Sequence, residues 1–153
     1  MNYPIEIGKE ISFMLYNYKN IERLIEKRRK ELIDNINVGI DSWSKSKTQI
    51  IGYTIEDTVI KFEEDGKIIR LKKWKKLLDD FFFQLYINDD YILSSFCKLK
   101  YLDKKDDYDL KTFLDLNKEE IRFFDSTMKS YIYDKAIEEH LYSRTGVKKY
   151  ASV

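Results

Sequence analysis

Beyond its carboxylates this chain offers zinc chemistry a single imidazole, His140, and a single thiol, Cys97, and that imidazole is also its one candidate for a histidine base to activate a nucleophile. A catalytic triad needs a histidine oriented between a nucleophile and a third group. His140 stands instead in "EEHLYSR", at the end of a helical pattern, where a surface or capping residue belongs. A structural zinc site needs a set of Cys and His at close spacing, and no such set exists here. The chain also lacks GxxxxGK[ST], GxGxxG and GxSxG, the backbone cradles and elbow that phosphate, dinucleotide and acyl chemistry use. Carboxylates are numerous, but "KEEI" and "INDD" stand where helices begin and favour the positive end of the helix dipole. These observations exclude an enzyme as the working reading and call for no cofactor or metal.

The remaining chemistry is cationic. With 28 basic against 27 acidic residues the net charge is only +1, so attraction to nucleic acid has to come from a local patch rather than from the whole chain. "EKRRKE", Glu26 to Glu31, mixes both signs at helical spacing and reads as a solvated face. "RLKKWKK" surrounds Trp74 with cations, either as a phosphate-facing patch with a stacking ring or as a core tryptophan with lysines in water.

The most informative stretch is "DYDLKTFLDLNKEEIRFF", Asp107 to Phe124. Tyr108, Leu110, Phe113 and Leu114 give a short helix one apolar face. Asp115 to Asn117 supplies a turn, and Asn117 with Glu120 has the spacing of a capping box. A second helix from Lys118 to His140 then buries Ile121, Phe124, Met128, Ile132 and Ala136, leaving Lys118, Glu119, Arg122, Ser126 and Lys129 on its outer side. The pattern fits a helix-turn-helix, whose second helix enters the major groove by its early residues, and equally an ordinary helical hairpin. On the first reading Arg122 and Lys129 lead the DNA contacts, while Lys104 and Lys111 touch phosphates. Glu119, Glu120 and Asp125 oppose phosphates, although a carboxylate can also accept from a cytosine amino group.

The elements that must position these residues are helical. One proline and five glycines leave few interruptions, and the abundance of Lys, Glu, Leu and Ile predicts an all-α chain of one domain. Ile11, Tyr18, Ile25 and Leu32 recur by sevens, which predicts one long N-terminal helix from Ile5 to about Asn37 and a homo-oligomer through it, with Arg28 and Asn35 weakening the seam. A Gly, Asp and Ser-rich connector follows. The expected organisation is 1–48 for the long helix and connector, 49–90 for a middle helical region, 91–142 for the helix-turn-helix region and 143–153 for a tail. Within the middle region "TVIKFEEDGKIIRL" reads as helix or as a hairpin around Asp-Gly. Helix is favoured by the stripe that follows, Ile68, Leu71, Trp74, Leu78, Phe81 and Leu85. A further helix is expected near Tyr91 after acidic caps, with Leu93, Phe96, Cys97 and Tyr101 on one side. A lone buried-type cysteine, no signal peptide and no apolar run of membrane-spanning length together point to the cytoplasm and to no membrane partner.

In this order of parts the chain resembles the RinA/ArpU-type phage regulators of late transcription, which carry a C-terminal unit similar to sigma-factor region four. The resemblance rests on "SKSKT", Ser44 to Thr48, and on the stretch from Phe96 to Glu138, where "YDLKTFLDLNKEEI" occupies the position of the helix-turn-helix. It implies sequence-specific binding to double-stranded DNA near a late promoter, and contact with host RNA polymerase. The acidic second helix departs from that pattern. A helical structural or protein-interaction module without DNA binding is the alternative, marked by a neutral or acidic outer face on Lys118 to Lys129.

Overall fold

The computed structural model describes residues 3–43 and 55–142, and every regular element among them is helical. In chain order these are α1 (Ile5–Tyr16), a 3-10 turn (Tyr18–Asn20), α2 (Ile21–Trp43), α3 (Ile55–Glu64), α4 (Gly66–Ile87), α5 (Tyr91–Cys97), a π turn (Lys98–Leu102), α6 (Asp107–Leu114) and α7 (Lys118–Glu138). The Ser44 to Thr48 stretch and the tail from residue 143 lie outside the described residues.

The long N-terminal helix expected from Ile5 to Asn37 is divided at Asn17. Its side-chain amide donates to the Phe13 carbonyl at 2.8 Å, and its own N–H reaches the same carbonyl at 3.0 Å, so the last turn of α1 is closed from within. Tyr18 then leaves the heptad series altogether. Its hydroxyl donates to the Asp79 carboxylate and its ring lies 4.8 Å from that of Phe82, both on α4. Ile11 and Ile25 are buried within the chain as well, so these members of the spacing by sevens take part in internal packing, while Leu32 is half-buried.

The Asp-Gly that signalled a hairpin instead separates two helices. Asp65 accepts from the Ile68 N–H at 3.1 Å, capping α4, and Gly66 is the first residue of that helix. The apolar stripe of α4 faces inward as its spacing predicts: Ile68, Leu71, Trp74, Leu78, Phe81 and Leu85 are all buried. Trp74 has no exposed surface and packs edge-on to Tyr142 at 6.3 Å, which rules out its stacking on a base.

The chain divides into two compact units, one holding α1, α4 from Lys73 onward and α5 to α7, the other holding α2, α3 and α4 up to Lys72. In the second unit α2 packs on α3. There Arg28 grips Asp65 with two bonds, Nε at 3.1 Å and Nη2 at 2.9 Å, and this guanidinium holds the carboxyl below its ordinary range against the opposing effect of burial. In the first unit α1 lies on α7 and on the π turn, while α5 and α6 both lie on α7. Cys97 sits at this junction, its thiol 2.9 Å from the Met128 sulfur. Burial first, then the charges of Asp125 and Asp90, push the thiol up to about 12, so it stays protonated and behaves as a small core residue.

Candidate nucleic-acid interface

The turn between α6 and α7 follows from three consecutive residues. Asp115 ends α6 in the left-handed region at φ 54°, a conformation that asparagine and aspartate tolerate better than most residues. Leu116 is buried and anchors the turn to the core. Asn117 caps α7, its side chain accepting from the Glu120 N–H at 2.8 Å, while Glu120 accepts from the Asn117 N–H at 3.4 Å. The capping box expected from the sequence is present, and α7 begins at Lys118. At the other end of α6, Asp106 accepts from the Asp109 N–H at 2.9 Å.

This local geometry decides what α7 presents. Ile121, Met128, Ile132 and Ala136 are buried as expected, and Phe124 is half-buried against Phe96 with ring centroids 5.9 Å apart. Lys118, Glu119, Glu120, Arg122 and Phe123 are exposed on its first two turns. The formal charges of that set cancel. On α6 only Leu110 is fully buried, whereas Tyr108 and Phe113, expected in the core, are exposed. Eight residues make a helix too short to bury four large side chains on one neighbour, and Tyr108 and Phe113 sit on the flanks of its stripe. Lys111 is exposed on α6. Lys104 is exposed in the loop before it, in the left-handed region at φ 54°.

Ser126 and Lys129 depart from the expected outer side, because α1 lies over this part of α7. Ser126 is half-buried, and the Lys129 side chain is only 14% exposed. Lys129 is also occupied. Its ammonium lies 2.8 Å from the Asp125 carboxylate, which takes a second cation, Lys100, at 3.2 Å, and accepts the Tyr101 hydroxyl proton. Burial by itself would raise the Asp125 pKa, but Lys129, Tyr101 and Lys100 outweigh it and hold the carboxyl below its ordinary range. The same carboxylate, after burial, keeps the Tyr101 hydroxyl firmly protonated.

Between α1 and α7 runs a cleft of about 530 Å³ whose charged lining is Lys9, Arg122, Lys129 and Asp125, with Ser12 and Ser126 between them. Tyr3 closes one side, seated so close to Gly8 that a Cβ there would lie 2.8 Å from its ring. Lys129 is engaged by Asp125, a single charge that it shares with Lys100, so among the described residues lining the cleft Lys9 and Arg122 are the more accessible cations. Sequence reasoning missed Lys9, and nothing local could have found it, since only the packing of α1 on α7 brings it beside Arg122. No group of His, Cys, Asp and Glu able to hold a metal ion occurs among the described residues, and no helix among them is long and apolar enough to cross a membrane.

No protein-family model, curated protein or solved structure matches this chain.

Proposed function

We propose that α6 and α7 form a helix-turn-helix that binds duplex DNA in a sequence-specific manner, and that the protein regulates phage late transcription together with host RNA polymerase. The observation that carries the DNA reading is the turn itself. A left-handed Asp115, a buried Leu116 and a reciprocally capped Asn117 join α6 to α7, and Lys118, Glu119 and Arg122 are exposed on the first turns of α7, the part of a recognition helix that meets base edges. Arg122 is the leading base contact, suited to the acceptor pair of guanine, and Glu119 suits the amino group of cytosine. Lys104, Lys111 and Lys9 supply phosphate contacts that set orientation rather than sequence. Ser126 and Lys129 flank the cleft, and Lys129 serves the Asp125 cluster in place of a phosphate. The assignment to late transcription and to polymerase rests on the resemblance of the Phe96 to Glu138 stretch to the region-four-like unit.

The test is a gel shift of the full chain on duplexes from its own upstream genomic DNA at low and physiological salt. Arg122→Ala should cost about 1–3 kcal/mol on the cognate duplex and far less on random DNA. Absence of binding to any duplex at low salt would refute the reading. One observation favours the alternative, a protein-interaction module. The exposed charges at the start of α7 sum to zero and Phe123 stands among them, which suits a protein partner better than a phosphate backbone.

A further inference from the structure

The end of α4 and the start of α5 carry apolar surface that the core does not use. Phe83 is 59% exposed, Tyr86 81%, Ile87 55%, Tyr91 78% and Ile92 52%. Phe83, Tyr86 and Ile87 are spaced at three and four on the last turns of α4, beside the buried Phe81 and Leu85. Only Asn88, Asp89 and Asp90 separate them from Tyr91 and Ile92 on the first turn of α5, and Asp89 in this short link adopts φ 54°. Scattered surface hydrophobes need no explanation, but five large ones within ten residues, three of them on one face of α4, mark an interaction site.

The charge around this set narrows the choice of partner. Residues 77–97 contain no Lys or Arg, in a chain where 28 of 153 residues are basic. Asp80, Asp89 and Asp90 are exposed in the same stretch. Asp90 caps α5 through the Leu93 N–H at 3.2 Å, which leaves its charge uncompensated by any cation of the stretch. Next to Phe83, a groove of about 310 Å³ between α4 and α7 is bordered by Asp80, Gln84, Tyr131 and Glu139; among the described residues Lys135 is the cation in its lining, paired with Glu138 at 3.5 Å, and Lys73 donates to the Glu139 carbonyl at 3.2 Å. A second copy docking here by two-fold symmetry would set carboxylate against carboxylate, and an anionic lipid surface would be repelled.

We infer that the α4–α5 corner docks a Lys/Arg-rich amphipathic helix of another protein. The apolar side of that helix covers Phe83, Tyr86, Ile87, Tyr91 and Ile92, one anchor side chain enters the groove beside Asp80, and its cations meet Asp80, Asp89 and Asp90. The surface is independent of the DNA reading and stands whether or not α7 binds a duplex.

The probe is a labelled synthetic Leu/Lys amphipathic helical peptide, with a Leu/Glu peptide of the same pattern as its counterpart. Fluorescence anisotropy on the full chain should show binding of the Leu/Lys peptide only. Tyr86→Ser with Tyr91→Ser should weaken it about tenfold or more by removing central anchors. Asp80→Lys with Asp89→Lys should weaken it comparably and give binding to the Leu/Glu peptide, whereas Glu63→Lys, an exposed acid of the second unit, should change nothing. The substituted side chains are exposed, and a thermal melt matching wild type verifies that each variant folds. Failure to bind the Leu/Lys peptide, equal weakening by Glu63→Lys, or a dimer in sedimentation that Tyr86→Ser dissolves would each overturn the inference.

Discussion

Replacing Asp125 by asparagine tests how the start of α7 is held. The substitution keeps the shape of the side chain and an acceptor for the Tyr101 hydroxyl, but it leaves Lys129 and Lys100 without their counter-charge where their side chains are only 14% and 18% exposed. Breaking a fully buried pair costs about 3–5 kcal/mol. Both lysines retain some access to water and can move their ammonium groups outward, so the lower figure of about 2–3 kcal/mol is expected here. The effect must also depend on pH in one direction. The folded pKa of Asp125 is depressed, so its contribution is fully present above the unfolded value of about 3.9 and disappears as pH falls through the lower folded value. Urea unfolding of wild type and Asp125→Asn at a series of pH values from 7 downward measures this. The gap between the two proteins should be constant near neutrality and close progressively below about pH 4. A gap that is absent at pH 7, or that persists unchanged in acid, would refute the assignment of Asp125 as the charge that organises Lys100, Lys129 and Tyr101.

Three further outcomes are expected. Asn117→Ala should lower stability by about 0.5–2 kcal/mol in a thermal or urea melt, because it removes the acceptor of the Glu120 N–H. Leu78→Ala, at a position with no exposed surface, should cost about 2–5 kcal/mol and lower the denaturant midpoint with little change in slope. Lys9→Gln should flatten the dependence of log affinity for duplex DNA on log salt by about 0.9, whereas Lys129→Met should flatten it by less, because the Lys129 ammonium is held by Asp125 at 2.8 Å and the side chain is only 14% exposed.

What the sequence made legible follows the range of the interactions responsible. The Asn117–Glu120 box, the Asp90 cap of α5 and the inward stripe of α4 depend on residues three or four apart, and each was readable. The division of the N-terminal helix was not: Asn17 closes α1 locally, but what draws Tyr18 out of the series is Asp79, 61 residues away. Asp65-Gly66 was ambiguous for a related reason. The dipeptide suits a hairpin turn and a helix start equally, and Arg28 of α2 grips the aspartate that caps α4. Lys129 is the instructive case. Its pairing with Asp125 has the ordinary i, i+4 spacing and could have been read from sequence alone, but the burial that makes the pair matter comes from α1 and the π turn packing on α7. The same packing brings Lys9 to Arg122. The cations available to a phosphate are therefore chosen by the tertiary structure: α1 carries Lys9 to the cleft, while Asp125 withholds Lys129 from it. If α7 reads DNA, α1 is part of the binding unit, and isolating residues 91–142 would lose a phosphate contact together with the helix that covers one side of α7.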